Sequence, residues 1–84
     1  MTRYSLHPSV GLRDEQFGAL AYHYANRRLT FINDDRLLAA VRALGEHDDA
    51  DAALAAAGVN EVQLPAYRTA LQRLADAEVL VAGD

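Results

Sequence analysis

His47, Asp48, Asp49 and Asp51 are the densest gathering of side chains that could ligate a metal, and their oxygens would suit a hard divalent cation. The glycine and distal glutamate of a calcium loop are missing, and no second histidine lies nearby. Acids at a helix start satisfy free N–H groups and favour the helix dipole, so capping accounts for the cluster more simply. His7 and His23 are isolated in sequence. His23, between Tyr22 and Tyr24 in an alternating segment, reads as a packing or surface residue rather than a general base. Ser5 and Ser9 have no recognisable base, and the chain has no phosphate-cradling glycine loop, nucleophile elbow or zinc signature. The paired carboxylates Asp14–Glu15 and Asp34–Asp35 suit turns and caps. No catalytic residue, metal site or cofactor is expected.

Two sets suit recognition instead. Tyr22, Tyr24 and Phe31 could stack nucleic-acid bases, although alternating strand aromatics serve core and cross-strand packing. Arg27 and Arg28 could meet acidic side chains of an incoming peptide, or simply guard a strand edge with solvated charge.

The elements that position these residues follow from periodicity. From Phe17 to Ile32 the chain alternates: Leu20, Tyr22 and Tyr24 fall on one face, and Ala19, Ala21 and His23 on the other. Leu29 and Phe31 then oppose Thr30 and Ile32. Asn26 tolerates the left-handed backbone of a tight turn, so this stretch reads as a hairpin. With a strand before it, the expected strands are about 9–14, 17–24 and 28–32. Helices are expected at about 34–44, 49–57 and 64–78, the first capped by Asn33 or Asp34 and ending at Gly45, the second begun by Asp48 or Asp49 and ending at Gly58. Pro65 suits the first turn of the third helix; a start at Asn60 with Gln63 completing a capping box would instead place Pro65 inside it. Val79, Leu80 and Val81 would add a short strand or pack across the sheet. The expected class is α+β and winged-helix-like, a three-stranded antiparallel sheet followed by three helices.

Composition narrows the function. A chain of 84 residues buries only about 60–65% of its unfolded surface, too little for a deep enzymatic cleft. It has no cysteine, hence no disulfide or thiolate ligand. The opening MTRYSLHPS lacks the apolar run of a signal peptide, and no stretch approaches about 18 consecutive apolar residues, so a cytoplasmic protein without membrane contact is expected. The formal charge of −4 is uneven: residues 1–44 carry six Arg and four acids, residues 45–84 two Arg and eight acids. The acidic half works against phosphate binding, so nucleic acid is not an expected partner.

The segments VGLRDEQFGALAYHYANRRLTFIN (10–33), LLAAVRALG (37–45) and LPAYRTALQRLADAEVL (64–80) carry a likeness to a family. They resemble the recognition elements of ribosomally synthesised, post-translationally modified peptides (RiPPs), winged-helix-like modules related to the pyrroloquinoline quinone peptide chaperone. The nearer resemblance is to the mycofactocin peptide chaperones. It implies one peptide-recognition domain over 1–84: a non-catalytic adaptor that captures a precursor's leader and delivers it to a radical S-adenosylmethionine (radical SAM) maturase. The leader would add as a strand to the third strand, residues Arg28, Leu29, Thr30, Phe31 and Ile32. A groove wall would come from Tyr67, Arg68 and Leu71, with Gln72 and Ala75 beside them. Alternation leaves open which face of that strand lines the groove. A small winged-helix DNA binder and a homodimer joined through the free edge are the competing readings.

Overall fold

The computed structural model describes residues 3–83. Its elements are β1 (Arg3–Leu6), β2 (Val10–Glu15), β3 (Gly18–His23), β4 (Leu29–Ile32), α1 (Asp35–Arg42), α2 (Ala50–Ala56), α3 (Leu64–Asp76) and β5 (Leu80–Gly83), with a 3-10 turn at Leu44–Glu46. β2, β3 and β4 form the antiparallel sheet in chain order, and the class is α+β. The closing segment does form a strand, and its partner is the one the sequence did not announce: β1 pairs antiparallel with β5, Arg3 opposite Gly83 and Leu6 opposite Leu80. RYSL is too short to announce itself, and its partner lies at the other end of the sequence.

Each helix begins and ends for a local reason. Asp34 caps α1 by accepting from the Leu37 N–H at 3.0 Å, and Asp49 caps α2 by accepting from Ala52 N–H at 2.8 Å. Gly58, at φ +95°, ends the segment after α2 with a backbone that L side chains avoid. Before α3, Asn60 and Gln63 exchange side-chain-to-backbone bonds at 3.0 and 3.2 Å, and the helix proper starts at Leu64 with Pro65 in its first turn. The capping box and Pro65 are therefore compatible, because the box closes the turn that precedes the helix.

The core lies between the small-residue face of the sheet and the helices. Ala19, Ala21 and His23 of β3 and Ile32 of β4 are buried, as are Ala40, Val41, Leu54, Leu71, Leu74 and Leu80. His23 is the buried polar side chain among the described residues. Its Nδ1 accepts from the Ala25 and Asn26 N–H groups, both at 3.2 Å, and its ring lies 4.4 Å from that of His7. Its role is thus to hold the β3–β4 turn. Arg27, at φ 62°, takes the left-handed position in that turn rather than Asn26. Asn26 serves through its side chain, whose Oδ1 accepts from Arg28 N–H at 2.9 Å.

Candidate functional site

Among the described residues, β4 pairs with β3 alone, and its far edge is open. The register places Tyr22 opposite Leu29, Ala21 opposite Thr30, Leu20 opposite Phe31 and Ala19 opposite Ile32. His23 N–H donates to the Arg28 carbonyl at 3.0 Å, which makes His23–Arg28 a hydrogen-bonded pair. Antiparallel pairs alternate, so Thr30 and Ile32 spend their backbone groups on β3, while Leu29 and Phe31 aim N–H and C=O at the open edge. The Tyr24 N–H bond to the Ser9 carbonyl at 2.7 Å fixes the complementary phase on the β2 side.

The side chains split in the same rhythm. Ile32 is 2% exposed and Thr30 half-buried, whereas Leu29 is 68% and Phe31 50% exposed. The outer face of the sheet therefore carries Leu20, Tyr22, Leu29 and Phe31 side by side. Tyr24 extends it, its ring edge-on to that of Tyr22 at 5.0 Å.

Across the open edge stands α3. Near the start of the helix, the Tyr67 hydroxyl donates to the Asp34 carboxylate, 2.8 and 2.9 Å from its two oxygens, just beyond the end of β4. Beyond its other end, Glu78 accepts from the Asn26 amide at 2.7 Å, just before β4. These ties set β4 and α3 antiparallel to each other, and the space between them, about 13–16 Å long by the rise of a four-residue strand and of the facing helix, is the candidate groove. At the Asp34 end, Asp34, Leu37, Ala66, Tyr67 and Ala70 line a recess of about 160 Å³. That is room for one side chain, against about 30 Å³ for a water molecule. Ala66 and Ala70, one helical turn apart, line the recess, and their small side chains keep it open.

Burial raises the Asp34 pKa, but the Leu37 N–H, the Tyr67 hydroxyl, the Arg36 N–H and the Arg36 charge outweigh it and hold the carboxyl below the usual range. Asp34 in turn pushes the Tyr67 phenol up. A depressed carboxylate pKa adds stability above its unfolded value, which is lost as pH falls through the folded value. Asp34→Ala is therefore expected to cost about 1 kcal/mol at neutral pH. The difference from wild type should shrink in acid, as urea melts at neutral and acidic pH would show.

The other residues expected at the site are placed differently. Arg68 faces α2, its Nε 3.0 Å from Asp51, and Gln72 faces β1, accepting from the Tyr4 hydroxyl at 3.1 Å. Leu71 is 0% exposed, and Ala75 packs against the core. Of the α3 residues expected in the wall, Tyr67 adjoins the recess. Ala66 and Ala70 were missed, and their one-turn spacing on the helix was the available signal.

Elsewhere, His47, Asp48 and Asp49 line a larger cleft of about 250 Å³ with Tyr4 and Ser5. No group of three or more metal-ligating side chains converges among the described residues. No helix among them is long and apolar enough to cross a membrane.

Residues 3–81 match the model of the peptide chaperone MftB family. The peptide chaperone MftB of Mycobacterium ulcerans is 43% identical over 76 residues, covering 90% of this chain and 70% of that protein. The one from Mycolicibacterium smegmatis is 42% identical over 79 residues, covering 94% and 78%, and that of Mycobacterium tuberculosis 41% over 76 residues, covering 90% and 70%. No solved structure matches the chain. A match over nearly the whole chain, and relatives aligned across most of their own length, place this protein in the MftB peptide chaperone family.

Proposed function

We propose that this protein is a non-catalytic adaptor of mycofactocin biosynthesis that takes the leader of a precursor peptide as an added strand on β4 and hands the precursor to a radical SAM maturase. The observation that carries the reading is the open edge: Leu29 and Phe31 offer outward N–H and C=O groups facing a groove tied at both ends to α3. Strand addition draws affinity from such main-chain bonds and selectivity from pockets for alternate side chains. The Asp34–Ala70 recess is one such pocket. The relatives are named for peptide chaperoning, which agrees with a binding role. Iron–sulfur chemistry would belong to the maturase, because this chain supplies no thiolate.

Calorimetric titration of this chain with a synthetic mycofactocin precursor peptide tests the reading. Saturable binding that disappears when the leader is removed is the expected result. No heat, together with no shift in a second probe such as peptide fluorescence, would overturn it.

A further inference from the structure

The arginines divide into two populations. Arg13 pairs with Glu15, Arg42 with Asp14 and Arg68 with Asp51; Arg36 lies at the Tyr67 hydroxyl, and Arg3 is also engaged. Arg27, Arg28 and Arg73 have no ion-pair or hydrogen-bonded side-chain partner among the described residues, and all three are exposed. In a chain with twelve acids and only eight cations, unpaired arginines are not forced by composition.

Chain order and helical phase direct these three toward the end of the groove that the Asn26–Glu78 bond closes, where they outnumber the Glu78 carboxylate. Arg27 and Arg28 lead into β4, and their neighbour Asn26 is tied to Glu78, just past the end of α3. Arg73 lies about one helical turn before the end of α3, in phase with Ala66 and Ala70, which line the recess. The opposite end of the groove holds Asp34 and Asp35. Arg27 also occupies a left-handed backbone position that an asparagine or glycine would fill at less cost.

We propose that Arg27, Arg28 and Arg73 form an anion-reading subsite for carboxylate side chains of the bound peptide, so that charge fixes which end of the added strand lies beside the β3–β4 turn. The proposal rests on strand addition to β4. Arginine suits the task because its planar fork bonds a carboxylate through two parallel N–H groups and stays charged at any physiological pH. A nucleic-acid backbone is a poorer match: it requires a longer track of cations, and this one ends at two aspartates in a chain of net charge −4.

The test is fluorescence anisotropy of the labelled precursor peptide with wild type and with R27Q/R28Q/R73Q, across a salt series. The expected result is roughly tenfold weaker binding by the triple variant at low salt, from three partly exposed charge pairs, and a flatter salt dependence. A precursor with its leader Asp and Glu changed to Asn and Gln should lose affinity for wild type but little further for the variant. R13Q/R42Q, which removes two arginine charges away from the groove, should bind nearly as wild type does; a loss approaching that of the triple variant would overturn the localised subsite. Equal affinity and salt slope for the triple variant would also overturn it and leave strand addition standing. No binding by wild type would overturn the strand-addition reading itself. Competition by a short duplex DNA for the same site would overturn the peptide assignment.

Discussion

Phe31→Pro is expected to cripple peptide capture while leaving the sheet standing, and Thr30→Pro to damage the sheet itself. The register separates two neighbours of almost identical setting. Phe31 lies in a non-hydrogen-bonded pair with Leu20, so its N–H points to the open edge and is not part of the β3–β4 ladder. Proline is tolerated on an edge strand where its missing N–H would face outward, and the residue before it must be extended, as Thr30 already is. Removing that donor leaves a carbonyl of the added strand unpaired, an effect of roughly 10- to 100-fold in affinity. Thr30 N–H instead serves Ala21 across the ladder, and its loss strands a buried carbonyl at a cost of about 1–3 kcal/mol in stability. Titration with the precursor and a thermal melt of each variant give the comparison. Phe31→Ala, which keeps the N–H, separates the backbone bond from the exposed ring. A Phe31→Pro protein that folds and binds as wild type would show that the peptide does not add through β4. Sedimentation of the same variant would also show whether copies of this chain pair through that edge.

The order of sheet before helices was legible because alternation from Phe17 to Ile32 gives way to helical spacing after Asp34. Which face of that sheet is buried was not, since both faces carry apolar side chains. The structure buries the smaller set, Ala19 and Ala21, because α1 approaches closely there with Ala40, itself 0% exposed. The larger Leu20, Tyr22, Leu29 and Phe31 are left outside. The wall of the groove shows the same limit. Helical phase alone makes Arg68, Gln72 and Ala70 equal candidates to face β4. Contacts from distant parts of the chain decide among them, for Asp51 takes Arg68 and Tyr4 takes Gln72. Asp34 was legible as a cap, but its second role, closing one end of the groove through Tyr67, depends on a residue 33 positions away.

Gly18→Ala tests whether the edge and the fold are one structure. A Cβ at Gly18 would lie 2.1 Å from the Ile32 carbonyl oxygen and 2.9 Å from the Asn33 Cα, and both are backbone atoms that no rotamer change can move aside. The φ of +156° adds to the penalty. Either β4 moves away from β3 or the Gln16–Phe17 turn shifts, and overpacking with strained backbone together cost roughly 2–5 kcal/mol. For a domain of this size that is a large share of a total stability of about 4–13 kcal/mol. Gly11→Ala provides the contrast. Its Cβ would also come close, 2.8 Å from Tyr22 Cζ, but to the far ends of the half-buried Tyr22 and exposed Tyr24 side chains, which can swing away, so its cost should stay near or below about 1 kcal/mol. Denaturant melts of the two variants read the difference directly. Because the clash of Gly18→Ala falls on Ile32 and Asn33, whatever fraction remains folded should also bind the precursor weakly. Normal affinity and normal stability in that variant would mean that β4 does not sit against β3 as described.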